Sequence, residues 1–457
     1  MDTFDLLVIG SGPGGTAAAL RGAELGLRVA LLERDPAGLG GTCLRRGCIP
    51  AKTWLESARR LEQGGELKEF GILGPEAGTL RPDLDAILAR KDRMVLRGAK
   101  GIEFLMKQHG VTVFQAETRL LGQGRVSLGE DTLEAPRIIL ATGSRPKLLP
   151  GLQPDGERIL SSDHLLELRE LPSHLVILGG GAIGVEFASA FVRLGSKVTL
   201  VEALDRLLPL EEAAIGLELA KLLARRHRMD IRVGTRLVRA EVREGQVLCQ
   251  LEGAKPGELA ASHLLVAVGR GPATEGLGLE HTAAQLERGF IRVNPLMETA
   301  EPGLYAIGDL VNTPMLAHVA SAEGVLAAEA AAQGSPRPLD YDRIPTCTYG
   351  DPETGCVGLS EAQARARGHE VLTGSAAFLP ILKAHIAGEP YGFVKVVAEA
   401  STRQLLGVHI LGPQATELVA IGGALLGRSL EEAMEQVFPH PSLCEALPEA
   451  LKACGKR

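Results

Sequence analysis

The sequence predicts an α/β protein: two parallel-sheet domains of βαβ type and a smaller α+β domain at the C-terminal end. Three observations carry that reading. A strand–glycine turn–helix–strand unit occurs twice, each closed by an acid at the same distance. A second pair of matching segments marks a later strand of each copy. After about residue 344 the pattern changes to short strands mixed with helices.

The first unit opens with an apolar strand, Phe4–Ile9, and turns at Gly10-Ser11-Gly12-Pro13-Gly14-Gly15. A helix from Thr16 to about Leu25 and a strand Arg28–Leu32 follow, ending on Glu33. The second runs from Leu175–Leu178 through Gly179-Gly180-Gly181-Ala182-Ile183-Gly184 into a helix to about Leu194. A strand Lys197–Val201 then ends on Glu202. Each acid stands 23 positions after the first glycine of its unit. The glycines allow a tight turn and close approach of a pyrophosphate. The helix start offers free N–H groups and the positive end of its dipole. The acid accepts hydrogen bonds from a ribose diol. Both domains are therefore Rossmann-like. Their binding candidates are Gly10, Gly12, Pro13, Gly14, Gly15 and Glu33, and Gly179, Gly181, Ala182, Ile183, Gly184 and Glu202.

The echo of Ile138–Pro146 in Leu264–Pro272 reads as a buried strand ending in a glycine turn. From Gly10 to Gly143 is 133 positions; from Gly179 to Gly269 is 90, so the first copy carries 43 extra residues. Proline and glycine clusters place the limits at 1–147 for the first domain and 148–272 for the second. A central segment, 273–343, completes the first, and 344–457 forms the α+β domain. Residues 240–262 read as strands and turns inserted before the last strand of the second copy. In the last domain, strands are expected at Gly392–Val397 and Leu405–Leu411, and helices at Glu361–Arg367 and Ser429–Val437.

Composition narrows the partners. Net charge is −7, with 49 basic and 56 acidic residues intermixed. No basic stripe or polybasic run invites nucleic acid or a membrane surface. The most apolar of the longer stretches, Leu175–Val192, is broken by glycines and carries Glu186, too short and too interrupted to cross a bilayer. The start, Met1–Asp5, lacks the basic opening of a secretory signal, so a cytoplasmic protein is expected. Seven cysteines in a reducing compartment do not suggest a disulfide framework.

Two of them, in Gly40-Gly41-Thr42-Cys43-Leu44-Arg45-Arg46-Gly47-Cys48-Ile49-Pro50-Ala51-Lys52, lie inside the enlarged part of the first copy. Thiols five apart can close a small, exchangeable disulfide. Arg45, Arg46 and Lys52 would favour thiolate nearby. A zinc site needs about four ligands, and no second pair exists, so no metal is expected. Two dinucleotide sites and one dithiol suggest two redox cofactors and a sulfur relay.

This segment closely resembles the redox motif of the class I pyridine nucleotide–disulfide oxidoreductases, and within them the dihydrolipoamide dehydrogenases. The resemblance extends over essentially the whole chain, through Ala141-Thr142-Gly143, Gly179–Glu186, Tyr305–Asp309, Ala317-His318 and Phe438–Glu445. It implies FAD in the first site, with Glu33 on its ribose and Asp309 near the ribityl–phosphate region. Further FAD contacts would be Gly41, Thr42, Lys52, Ala116, Thr142, Gly143 and Ala317. It implies NAD in the second, Gly269 and Arg270 included, and the acid Glu202 argues against a 2′-phosphate. Cys48 would face the flavin and Cys43 the substrate. Lys52 would pair with Glu186 beside the flavin. His440 would act as base, oriented by Glu445, inside the partner subunit's site, so a homodimer is implied. The activity implied is oxidation of dihydrolipoamide by NAD+ as the E3 component of a 2-oxo-acid dehydrogenase complex. The substrate would be carried on lipoyl domains of an acyltransferase (E2) or on a glycine-cleavage carrier. A mercuric or glutathione reductase type is the alternative. Three departures from the family pattern stand out: Phe438 where a second His is usual, Cys444 where Ser is usual, and Arg45-Arg46 in place of a neutral pair.

Overall fold

Near-continuous apolar runs build the central sheets, as expected of strands covered on both faces. In the computed structural model, which describes residues 4–74, 78–333 and 336–455, the chain divides into two units. The first takes in residues to 53, 85–147 and 270–339; the second takes in 54–84, 148–269 and 340 onwards. Residues 1–3 and 456–457, at the outer limits of the expected domains, lie outside the described residues.

The sheet of the first unit is parallel, in the order Leu304–Ala306, Ile138–Leu140, Leu6–Ile9, Val29–Glu33, Thr112–Gln115. Alternation along the strands sends side chains to two separate cores. Leu7, Ile9, Ala30, Leu32 and Leu140 pack with Leu120, Val126 and Leu133 of a three-stranded antiparallel cover. Leu6, Val8, Val29, Leu31 and Ile139 pack against the helices Pro13–Glu24 and Ala317–Gln333. The first helix begins at Pro13 rather than Thr16, because proline is suited to the first helical position.

The second unit repeats the plan. Its parallel sheet runs Asp230–Arg232, Lys197–Val201, His174–Leu178, His263–Val266, Ile159–Leu160. The helix Ala182–Leu194 joins the second strand pair. Three antiparallel strands, Thr235–Arg243, Gln246–Gly253 and Gly257–Ala261, fill the insertion and bury Val247, Cys249 and Leu251 against Val176, Leu178, Leu264 and Val266. The C-terminal part is a five-stranded antiparallel sheet, its central strands Glu353–Gly358, Leu405–Gly412 and Phe393–Glu399. The helices Ala415–Leu425 and Ala446–Gly455 share its core. The helix expected over Ser429–Val437 is shorter, Leu430–Met434, opened by a Ser429–Glu432 capping box. The pair Pro439 and Pro441 just beyond disfavours helical backbone before each ring.

Candidate active site

The two glycine turns are near copies in three dimensions. Gly10 has φ +102° and Gly179 φ +104°. A Cβ on either would lie 2.4 Å from the Ala141 carbonyl oxygen or 2.3 Å from that of Ala267, so no other residue fits. A Cβ on Gly15 or Gly184 would strike the first glycine's carbonyl at 1.8 or 1.9 Å. The middle glycines differ: a Cβ on Gly12 or Gly181 would meet nothing within 4 Å. Each of these caps a helix start without any side-chain hydrogen bond. Each repeat thus presents an open cradle above free helix N–H groups, with Pro13, Gly14 and Gly15 or Ala182, Ile183 and Gly184 in the opening turn. That is the form a pyrophosphate requires.

The closing acids match as well. Glu33 Oε2 accepts from the Ser11 backbone N–H at 3.0 Å, and its Oε1 from that of Asp35 at 2.8 Å. Glu202 Oε2 accepts from the Gly180 N–H at 2.6 Å, and its Oε1 from that of Leu204 at 2.7 Å. Both carboxylates are buried and held at the turn by backbone donors. Beside Glu33 lies a cavity of about 390 Å³, lined by Gly38, Leu39, Met106, Val111, Val113 and Gln115 among others, within the range of small-molecule sites. Ala116 follows, its N–H on the Glu33 carbonyl at 2.9 Å. A buried acid facing an apolar cavity beside a pyrophosphate cradle fits the adenosine half of a dinucleotide.

Gly41 lies so close to this cradle that a Cβ there would meet the Gly12 Cα at 2.6 Å. It starts a short helix, Gly41–Arg46, which holds Thr42 and Cys43; Gly47 ends it, and Cys48 begins the helix Cys48–Glu66. Both cysteines are free thiols and half-buried. The Cys43 thiol is pushed well above its ordinary value by its hydrogen bond with Cys48 and then by burial, while Lys52 pulls it down. The two sulfurs therefore lie within hydrogen-bonding reach of each other.

Elsewhere in the first unit, Thr142 Oγ1 donates to the Ala273 carbonyl at 3.0 Å, and Gly143 adopts φ +72°. Ser144 Oγ donates to Asp309 and accepts from Arg270 Nε at 2.7 Å. Arg270 lies in the first unit, whereas Gly269 (φ +104°) closes the 148–269 segment of the second. Ala317 opens its helix, and Glu323, wholly buried in that helix, accepts from the Gly308 N–H at 2.6 Å.

In the second unit, Glu186 is buried and accepts from the Tyr349 N–H at 3.0 Å. His440 and Glu445 come together: Nδ1 to Oε2 is 3.0 Å, and the Ser442 N–H donates to Oε1 at 2.6 Å. That backbone bond, then His440, lowers the Glu445 pKa. The His440 side chain is 71% exposed, so its free nitrogen faces outward.

Three polar residues were missed from the sequence. Ser11 and Ser144 carried no signal, since each bridges an acid or arginine far away in the chain. Glu323 had one: like Glu186, it is an acid inside an otherwise apolar helix. The basic pair also behaves unexpectedly. Arg46 Nη2 pairs with Asp35 Oδ2 at 2.5 Å, and Arg45 Nε donates to the Leu39 carbonyl at 2.9 Å.

Residues 4–324 match the pyridine nucleotide-disulphide oxidoreductase family, and residues 344–451 match its dimerisation domain. The dihydrolipoyl dehydrogenase of Bacillus subtilis is 39% identical, covering 99% of this chain and 98% of that one. That of Chlorobaculum parvum is 41% identical over 98% and 96%. Among solved structures, LpdA of Mycobacterium tuberculosis superposes with a TM-score of 0.88 at 28% identity, over 98% of this chain and 99% of that one. The Cu(II) complex of the HOCl-induced flavoprotein disulfide reductase RclA of Escherichia coli gives 0.87 at 27%, over 99% of both.

Proposed function

We infer the activity from one premise: this chain belongs to the pyridine nucleotide-disulphide oxidoreductase family. It is an FAD- and NAD-linked oxidoreductase that oxidises dihydrolipoamide to lipoamide, the reaction for which its full-length relatives are named. The observation that carries this is the Cys43–Cys48 pair, touching and half-buried on consecutive helices that begin at the first cradle.

The first cradle, Glu33 and its cavity fit FAD; Gly41, Thr42, Lys52, Ala116, Thr142, Gly143, Asp309 and Ala317 complete our assignment. The second cradle and Glu202 fit NAD, with Gly269 and Arg270 as further assignments. Arg206, the nearest candidate for a 2′-phosphate, already donates to Asp205 at 3.2 Å and to the Pro209 carbonyl at 3.1 Å. Bound FAD supplies a two-electron acceptor between the dithiol and NAD+.

The protein's own residues handle sulfur and protons. In the oxidised enzyme, a substrate thiolate attacks Cys43, forming a mixed disulfide and releasing Cys48 as thiolate. The second substrate thiolate then displaces Cys43, which leaves as thiol and takes up a proton. Lipoamide departs with two electrons left on the dithiol. His440 takes the proton of the first attacking thiol and passes it to Cys43, then takes that of the second and releases it to solvent; Glu445 fixes the tautomer that leaves the other ring nitrogen free. Exposed on its own chain, His440 serves the partner's dithiol in a homodimer, consistent with the dimerisation domain. Lys52 and Glu186 are assigned to the flavin side.

The physiological substrate is the lipoyl arm of an acyltransferase (E2) or a glycine-cleavage carrier. A cytoplasmic location belongs to the same reading, in line with seven free thiols. Among the described residues, no helix is long and apolar enough to cross a membrane. Steady-state kinetics with dihydrolipoamide and NAD+ should give parallel, ping-pong lines. Intersecting lines, or faster turnover of glutathione disulfide or Hg(II) with NADPH, would refute the assignment.

A further inference from the structure

Arg45 and Arg46 stand between the two working thiols, and the obvious role for them is to stabilise thiolate. Their contacts point elsewhere. Arg46 Nη2 reaches Asp35 Oδ2 at 2.5 Å, with Asp35 only 18% exposed. Arg45 Nε donates to the Leu39 carbonyl at 2.9 Å, and its guanidinium lies so near Gly38 that a Cβ there would come within 2.9 Å. Gly38 and Leu39 wall the cavity beside Glu33. Asp35 is tied to the same wall: its N–H donates to Glu33, and its carbonyl accepts from Gln115 Nε2 at 2.9 Å. The start of the dithiol helix is tied there too. The Gly40 N–H donates to Ser11 Oγ at 3.0 Å, and Ser11 Oγ donates to Glu33 Oε2 at 2.5 Å. A ring closes: Glu33, Ser11, Gly40, the helix Gly41–Arg46, Asp35 and back to Glu33.

We propose that Arg45 and Arg46 are positioning residues that lace the dithiol helix to the wall of the adenosine cavity, so that cofactor retention and dithiol placement are coupled. The proposal rests on the reading of that cavity as the FAD adenosine site. A nucleotide seated against Glu33 fixes the loop 34–40, and the loop, through both arginines, fixes the turn that carries Cys43. Loss of the clasp frees both ends together. A role for the arginines as charges near the thiols predicts something different, because removing Asp35 and removing Arg46 then have opposite signs.

The test uses the holoenzyme and the variants Arg46→Gln, Asp35→Asn and their combination. Asn keeps the Oδ1 acceptor for the Ala37 N–H (3.0 Å) and removes only the charge that Arg46 grips. Two quantities are read: the rate of FAD release, by flavin fluorescence, and the pH midpoint of iodoacetamide alkylation of the reduced dithiol. Positioning predicts that both single variants release FAD about 3- to 10-fold faster, the scale of one partly exposed ion pair and its hydrogen bond. The double variant should do no worse than either, and both midpoints should move in the same direction. Unchanged FAD release, with the midpoint raised by Arg46→Gln and lowered by Asp35→Asn, would overturn the proposal in favour of a purely electrostatic role. If Asp35→Asn fails to fold, Arg46→Gln alone decides by whether FAD release changes. A wild-type protein that holds no flavin would refute the cofactor assignment itself; a flavin-bearing wild type with wild-type release in the variants would refute only the clasp.

Discussion

Replacing Asp351 by Asn should strongly destabilise the second unit. The Asp351 side chain is 7% exposed. Its Oδ2 meets Arg193 Nη2 at 2.7 Å, His227 Nε2 at 2.8 Å and Arg226 Nη2 at 3.3 Å, and its Oδ1 accepts from Tyr391 Oη at 3.0 Å. The neighbouring backbone is pinned to one face of the helix Ala182–Leu194. Glu186 takes the Tyr349 N–H, Ser189 Oγ the Asp351 N–H at 3.0 Å, and Arg193 the carboxylate. Asn keeps the shape but removes the charge: Arg226 loses its carboxylate, whereas Arg193 keeps Glu62 at 2.6 Å. Breaking a buried ion pair from one side costs about 3–5 kcal/mol, and at roughly 2–4 °C per kcal/mol the melting transition should fall by about 6–20 °C. Burial alone would raise the Asp351 pKa; the His227 hydrogen bond and the charges of Arg193 and Arg226 outweigh it and hold it well below the usual carboxylate range. A lowered folded value means stability that is fully present above the unfolded value of about 3.9 and lost as pH falls through the folded one. The gap between wild type and variant should therefore be widest at neutral pH and narrow below about pH 4. Calorimetry across pH 3–8, a range set by those values, is the assay. A variant within about 1 kcal/mol of wild type at pH 7 would refute the reasoning.

Three other outcomes are expected. Glu445→Gln should slow reduction of the enzyme by dihydrolipoamide about 10- to 100-fold, a fraction of what a general base contributes, and leave flavin reduction by NADH unchanged in stopped flow. Equal slowing of both half-reactions would contradict the role given to His440. Gly181→Ala has room for its Cβ in the fold, so the melting temperature should hold while the NAD+ KM rises about tenfold or more, through crowding of the pyrophosphate; an unchanged KM would count against the second cradle. Cys444→Ser should keep activity within about tenfold, since Ser is the residue the family pattern leads one to expect there; a larger loss, about 1.4 kcal/mol or more in the barrier, would give that thiol a part in the reaction.

The parts legible in the sequence were those written in local pattern. Gly10, Gly12 and Gly15 announce their turn because spacing alone sets the geometry, and Gly179, Gly181 and Gly184 repeat it. Glu33 and Glu202 follow from the strand that each ends. The pairing of His440 with Glu445 was readable only through the family resemblance, which carries both residues in one motif, and the two side chains meet at 3.0 Å. What escaped depends on side chains brought together from distant segments. Nothing near Asp351 in the sequence announces Arg193, Arg226 or His227. Ser11 looks like turn filler until Gly40 and Glu33 are seen on its hydroxyl. Arg45 and Arg46 suggested thiolate stabilisation from their neighbours in sequence, yet their planar heads turn back to Asp35 and Leu39. The helix expected to reach Val437 stops at Met434, where two prolines ahead outweigh a favourable apolar pattern.

The most direct test of the central claim is an anaerobic titration of the yellow protein with dihydrolipoamide, followed by NAD+. If Cys43 takes the substrate and Cys48 faces the flavin, each enzyme equivalent should develop a long-wavelength thiolate–flavin absorption band. That band should disappear as NAD+ is reduced, and Cys43→Ser should abolish its formation by dihydrolipoamide. A protein whose spectrum ignores dihydrolipoamide, yet whose dithiol is cycled by glutathione or Hg(II) with NADPH, would contradict the account.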